Sequence, residues 1–251
     1  MANQLFINKK ISAFDKKIIV SGDKSLSIRW VLLASQAIGK SKSYNLLMSE
    51  DVVAALEAIK KLGIKVSVSK GHCEIYGKGI NNFKYKSGLV IDSKNSGTLG
   101  RLILGLLVKS PVKIKIIGDK SLTKRDFSRV TIPLKKFGAK FFYKVKNKLP
   151  LSILGSKSLK GINYIENKGS AQCKSSVMLA ALNSVGTTSI KAKKSRNHTE
   201  LLFKYLKIPI KVRKTKKFDF IDIKKPKKIN AFNYQIPGDI SSSAFFMVLT
   251  T

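Results

Sequence analysis

Four stretches of the chain repeat one pattern, a cluster of small polar residues running straight into an apolar segment. They are GDKSLSIRWVLLAS (22–35), NSGTLGRLILGLL (95–107), GSAQCKSSVMLAAL (169–182) and GDISSSAFFMVLT (238–250). Ser25, Thr98, Ser170 and Ser241 mark corresponding positions, 71 to 73 residues apart. Self-similarity at a fixed period is the signature of a chain built from repeated supersecondary units. Each stretch predicts an apolar helix opened by a polar residue that satisfies its free N–H groups.

A second helical pattern follows each of the first three: EDVVAALEAIKKLGIKV (50–66), SRVTIPLKKFGAKF (128–141) and RNHTELLFKYLKIPIKV (196–212). In the first of these, Val52, Val53, Leu56, Ile59 and Leu62 form one apolar stripe, and Gly63 supplies a C-terminal stop. Pro133 is expected in an early turn of its helix or at a bend. Short alternating strands come next: KVSVS then CEIYG, KFFYKV then PLSIL, IKVRK then FDFIDI. The unit is therefore helix, strand, helix, strand, strand, with one further strand leading in. Three complete units are expected over roughly 14–234. A fourth opens at Pro237 and runs through one apolar helix for which the sequence holds no partner layer, so the chain reads as truncated. The class is α/β.

Composition narrows this little. With 251 residues, 43% of them apolar, the chain can bury a substantial core. No apolar run reaches 18 residues, and MANQLFINKKISAF lacks the charged-then-apolar form of a secretory leader, so a soluble cytoplasmic protein without a membrane role is expected. Cys73 and Cys173 have no metal-ligand spacing and suggest no disulfide scaffold. Charge changes the picture more. The formal net charge is +35, yet of 49 basic residues only six are arginine. Many lysines alternate with apolar residues, as in VKIKII (112–117), or sit in polar turns such as KKPKK (224–228). That is the pattern of strands with one wet face, and no aromatic-rich strand motif accompanies it. A basic solvated surface is favoured over a nucleic-acid groove.

The six arginines are more informative than the lysines. Five of them lie near Gly/Ser/Thr-rich segments, and only arginine offers a rigid, permanently charged fork for carboxylate or phosphate. Gly22-Asp23-Lys24-Ser25 stands at the mouth of the first helix, where exposed N–H groups and a lysine make a seat for an anion. The GxxxxGK[ST] spacing is absent, so this is not a Walker loop. Read from the residues alone, Asp23 or Ser25 is equally a plain cap, Asn95 and Thr98 likewise, Arg101 an internal partner, and Arg125 an ion-pair partner of Asp119 or Asp126.

Taken together, SGDKSLSIR, NSGTLGR, GDKSLTKR, GSAQ, SRNHTE and PGDISSSAFF resemble, in order and spacing, the motifs of the 5-enolpyruvylshikimate-3-phosphate synthase family. The resemblance spans the whole chain. It implies the enolpyruvyl transferase fold: βαβαββ repeats forming an inside-out α/β domain over 14–234, helices inside and sheets outside. Residues 1–13 and 235–251 would then be remnants of a second domain. It implies transfer of the enolpyruvyl group of phosphoenolpyruvate to the 5-hydroxyl of shikimate 3-phosphate, releasing phosphate, with no metal or organic cofactor. Lys24 would be catalytic and touch both substrates. Ser25, Arg29, Ser170, Ala171, Gln172 and Ser195 would hold shikimate 3-phosphate, with Ala171 standing where some members have serine. Gly97, Arg125 and Gln172 would hold phosphoenolpyruvate, and Asp239 the interdomain crossover. His198 is read as a satisfied helix-start residue without a role. The family's acidic catalytic residues belong to the second domain, so these 251 residues alone are expected to lack transferase activity and to bind shikimate 3-phosphate weakly, the full-length protein being a monomer. The related UDP-N-acetylglucosamine enolpyruvyl transferases show Lys-Asn at the Lys24-Ser25 position and a cysteine-bearing loop near 110–125, where this chain has none. A basic nucleic-acid-binding module and a non-catalytic paralogue also compete with the transferase reading.

Overall fold

The computed structural model describes residues 17–249. Its first segment runs α1 (Lys24–Gln36), β1 (Ile38–Tyr44), α2 (Glu50–Lys61), β2 (Lys65–Ser69) and β3 (His72–Lys78). The second runs β4 (Val90–Asp92), α3 (Gly97–Leu106), β5 (Ile114–Ile117), the short α4 (Lys120–Thr123), α5 (Ser128–Lys136), β6 (Lys140–Tyr143) and β7 (Leu151–Leu154). The third runs β8 (Asn163–Glu166), α6 (Ala171–Ala181), β9 (Thr187–Lys193), α7 (His198–Tyr205), β10 (Ile210–Lys214) and β11 (Phe218–Lys224). Two elements follow, β12 (Asn233–Gln235) and α8 (Ile240–Leu249).

Each unit makes one four-stranded sheet of the same order, β4-β5-β7-β6 in the second and β8-β9-β11-β10 in the third. The lead strand is parallel to its neighbour and the rest are antiparallel. In the first sheet, β12-β1-β3-β2, the expected lead-in strand is not drawn from residues 17–20, which form no strand. It comes from the far end of the chain, with Lys42, Ser43 and Tyr44 paired in parallel to Asn233, Tyr234 and Gln235.

The inner and outer helices differ as their patterns predict, except that Val53, counted in the apolar stripe of α2, is exposed, its place on the inner face being taken by small Ala54, Ala55 and Ala58. Every residue of α1 from Leu26 to Gln36 is buried, as is α6 from Cys173 onward and all of α3 except Arg101. In contrast α2, α5 and α7 bury one face each. Strands alternate too: Asp219, Ile221 and Ile223 point inward from β11 while Asp222 and Lys224 face solvent. The helices thus sit inside three sheets whose lysine-rich faces are wet. Gly105 lets α3 and α6 touch backbone to backbone, since a Cβ there would lie 2.2 Å from the Ser176 carbonyl oxygen.

Helix stops repeat as well. Gly63 (φ +82°) and Gly138 (φ +97°) follow α2 and α5 in the left-handed region. At Gly63, its N–H bonds the Lys60 carbonyl and that of Ile64 bonds Ile59, the double bond of a Schellman stop. The same stop after α7 uses Lys207, a side-chain-bearing residue at φ +54°. Pro133 sits sixth in the nine-residue α5, in its second turn, leaving the Arg129 carbonyl without its helical donor.

Candidate active site

The three inner helices begin alike. Asp23 accepts from the Leu26 N–H at 2.7 Å, Ser96 from Leu99 at 3.2 Å and Ser170 from Cys173 at 3.3 Å. The caps therefore fall on Asp23, Ser96 and Ser170, which frees Ser25 and Thr98, two positions into their helices, for other bonds. Ser170 keeps its hydroxyl proton available, and its N–H is fixed by the buried Glu166 at 2.9 Å.

The first turns of α3 and α6 meet. Arg101 of α3 donates from Nη1 to its own Gly97 carbonyl at 3.1 Å and to Oε1 of Gln172, the second residue of α6, at 2.9 Å. Gln172 Nε2 in turn donates to Thr98 Oγ1 at 3.0 Å. Gly97 faces two guanidinium groups: a Cβ on it would lie 2.8 Å from Arg101 Nη1 and 3.0 Å from Arg125 Nη1. Arg125 is exposed, and among the described residues it makes no ion pair with Asp119 or Asp126. Asp119 instead caps α4 and accepts from Asn95 at 2.7 Å, while Asp126 holds Ser128.

One turn further along α6, Arg29 of α1 is 4% exposed and donates from Nη2 to Ser175 Oγ at 3.0 Å, from Nε to Thr199 Oγ1 at 2.8 Å and from Nη1 to the Ser25 carbonyl at 3.0 Å. Thr199 passes its own proton to Ser175 at 2.7 Å. Burial lowers the Arg29 pKa to about 10, against the pull of Glu200 and Asp23. Arg29 is therefore a rigid fork set in a polar mount, not a free surface arginine. Ser195, just ahead of α7, has a buried Oγ with no hydrogen-bond partner. Lys24 is half-exposed and its ammonium rests on Asp51 at 3.2 Å, the weak and exchangeable contact of a surface pair. Ala171 contributes a half-buried backbone position at the start of α6. The Cys173 thiol is buried and its pKa is raised chiefly by desolvation, which leaves no activated nucleophile there.

Several members of this cluster escape sequence reasoning. Lys174 is entirely buried and lies 2.6 Å from the buried Glu200, joining α6 to α7 behind Arg29. Breaking such a pair from one side typically costs about 3–5 kcal/mol. Ser175 and Thr199 look like filler in GSAQCKSS and SRNHTE, and Arg101 gives no sign of which group it meets. The one signal in the sequence is the repeat itself, which puts polar residues of α1, α3 and α6 at matching helical depth. His198 is the helix-start residue expected, but its Nδ1 is buried and unbonded, so it is not satisfied as expected.

Two segments of the chain also cross near this cluster. Gly22 and Gly238 bridge in antiparallel fashion, Asp23 N–H bonds the Pro237 carbonyl and Asp239 N–H bonds that of Ser21. Both segments enter helices there, α1 and α8, with Asp239 also accepting from the Ser241 N–H. Among the described residues no helix is long and apolar enough to cross a membrane.

The family described as EPSP synthase (3-phosphoshikimate 1-carboxyvinyltransferase) matches residues 8–251. The 3-phosphoshikimate 1-carboxyvinyltransferase of Bacillus subtilis is 38% identical over 240 residues, covering 95% of this chain and 55% of that protein. That of Ruthia magnifica is 40% identical over 244 residues, covering 97% and 55%. Among solved structures, EPSP synthase from Acinetobacter baumannii superposes with a TM-score of 0.86 at 34% identity, covering 94% of this chain and 53% of that one. The chain thus spans about half the length of the curated relatives it matches.

Proposed function

The chain belongs to the EPSP synthase family, and from that membership we propose that it forms the shikimate 3-phosphate wall of a site that transfers the enolpyruvyl group of phosphoenolpyruvate to the 5-hydroxyl of that substrate. The observation that carries the reading is the junction of α3 and α6 at their first turns, with Arg101 and Arg125 over Gly97 and Arg29 of α1 bonded to Ser175 one turn along α6. Two phosphates and two carboxylates need such a concentration of fixed positive dipoles and forks.

In this reading the 5-oxygen adds to C2 of phosphoenolpyruvate while C3 gains a proton. Loss of a C3 proton and departure of phosphate then restore the C2=C3 double bond, now in an enol ether to the 5-oxygen. Lys24, released from Asp51, reaches both substrates and assists the proton transfers. Arg29, held by Ser175 and Thr199, presents its remaining N–H groups to the shikimate carboxylate, beside Ser25. The Ser170 hydroxyl, the Ala171 N–H and the unpartnered Ser195 Oγ take the phosphate. Arg125 and the space over Gly97 take phosphoenolpyruvate, and Gln172, already bonded between Thr98 and Arg101, lies between the two. Arg101 is added as the residue that fixes Gln172. The partners are then two small anions, with no metal, organic cofactor, nucleic acid or membrane involved, in a cytoplasmic monomer.

Calorimetric titration of shikimate 3-phosphate tests the binding half. Each charge-assisted bond is worth about 1.5–3 kcal/mol, so Ser195→Ala is expected to weaken binding roughly tenfold or more, with unchanged melting temperature. Gly97→Ala should impair phosphoenolpyruvate more than shikimate 3-phosphate, because the new methyl intrudes on the phosphoenolpyruvate space and displaces Arg125, and it reaches the other substrate only through Arg101 and Gln172. Equal affinity of the Ser195 variant and the parent would remove the phosphate assignment.

A further inference from the structure

Beside the candidate site, at the rim of the third sheet, an open cleft of about 530 Å³ is lined by Lys168, Gly169, Lys193, Lys194, Lys217 and Phe218. Four ammonium groups thus share one concavity, each on an exposed residue, and among the described residues none has an acidic partner within salt-bridge distance. The acids nearest in the sheet, Glu166 and Asp219, flank Ala192 in one inward-facing row and are buried. Glu166 is already committed to the N–H groups of Lys168 and Ser170 and lies 3.6 Å from Arg129. Like charges held together without counter-charges are destabilising unless an anion visits them.

Their place in the chain gives the cleft a direction. Lys168 and Gly169 run directly into Ser170, the cap of α6, and Lys193 and Lys194 run directly into Ser195, whose Oγ is buried and unpartnered. The two segments are in contact, since a Cβ on Gly169 would lie 3.4 Å from the Lys194 carbonyl oxygen. Lys217 reaches the same rim from the β10–β11 hairpin. The lysines are therefore outside the seat but contiguous with both of its hydroxyls.

We propose that this cleft is an electrostatic antechamber that captures a phosphomonoester dianion and delivers it to Ser170 and Ser195. It rests on the reading that those two serines seat a phosphate. Its signature is kinetic: a cleft lined by one sign of charge raises the association rate by about 10- to 1000-fold at low salt, while dissociation is set by the seat within.

Stopped-flow association of shikimate 3-phosphate tests this with two charge-matched variants. One combines Lys168→Gln, Lys193→Gln, Lys194→Gln and Lys217→Gln. The other combines Lys86→Gln, Lys157→Gln, Lys160→Gln and Lys227→Gln, exposed residues outside the cleft. At ~10 mM salt the cleft variant should associate roughly tenfold more slowly with an unchanged dissociation rate. The control should slow less than twofold, and all three proteins should converge near ~0.5 M salt, where the Debye length is down to a few ångströms. Shikimate, which lacks the phosphate, should show a smaller loss. Equal slowing of both variants would assign the effect to net charge and overturn the antechamber. A faster dissociation at unchanged association would make the lysines direct ligands and overturn it equally. No detectable binding by the parent protein would instead sink the phosphate-seat reading, and the antechamber with it.

Discussion

His198 opens α7 with its Nδ1 buried and unbonded, and desolvation holds its imidazole below the ordinary pKa of 6.5. Arg29 and Arg196 push in the same direction, while Asp23 and Asp239 oppose them. The sign of the consequence is fixed. Between the lowered folded value and 6.5 the unfolded chain binds the proton and the folded chain resists it, so stability is full above that window and is lost as pH falls through it. The melting temperature should therefore drop between pH 7 and pH 5.5, and drop less in His198→Asn. Parallel pH profiles for the two proteins would show that this imidazole is not the sensor. At this scale the sequence is legible where a motif declares a local need, as Asp23 does at the mouth of α1, but it misplaces the cap of α3, which falls on Ser96 and not on Asn95 or Thr98. It is illegible wherever a side chain's meaning comes from another unit. Arg101 meets Gln172 across 71 residues and Arg29 meets Thr199 across 170, and no local pattern says so.

The repeated elements carry a sharper comparison, because three versions of one stop can be read against each other. After α2 and α5 the left-handed position is glycine, while after α7 it is Lys207 with φ +54°. The bonds are the same in kind: Lys207 N–H to Lys204 and Ile208 N–H to Phe203. A side-chain-bearing residue in that region is strained by about 1 kcal/mol or more, partly offset by the greater freedom glycine has when unfolded. Lys207→Gly should therefore stabilise the chain by about 0.5–1 kcal/mol, a rise of roughly 1–4 °C in melting temperature. A fall would mean that Lys207 makes a contact worth more than its strain. Periodicity locates the helices and hairpin strands of the three units because each buries a patterned face. Lys174 eludes it for the opposite reason: α6 is small and apolar nearly all round, so a lysine within it reads as its wet side, yet the structure buries it against Glu200. Pro133 lies inside α5 and is buried there, one turn beyond the positions where a proline costs no helical bond.

At the scale of the whole chain the consequential feature is closure, since the first sheet is completed by residues more than 180 positions downstream of the strand they pair with. A three-residue strand, NYQ, has too little alternation to be read as a sheet edge, and nothing near residue 17 signals that a lead strand is missing there. The closure makes a boundary testable. The expected domain end at 234 cuts through β12, whereas the structure carries the first sheet to Gln235 and buries Ile229 and Ile236 almost completely. Beyond the strand itself, the Ile236 N–H bonds the Tyr44 carbonyl and Asn45 Nδ2 bonds the Ile236 carbonyl. A chain ending after Pro237 retains all of these, but one ending after Lys228 loses the strand, both isoleucines and the edge cover of β1. Two buried isoleucines alone contribute about 3–6 kcal/mol, which for a chain of this size corresponds to roughly 6–24 °C. The version ending at Pro237 should accordingly melt within a few degrees of the 251-residue chain, and the version ending at Lys228 at least about 6 °C lower, with β1 left as an open edge prone to aggregate. Equal melting of the two would mean that the first unit holds itself together without its borrowed strand, and the domain would then end where the third unit does.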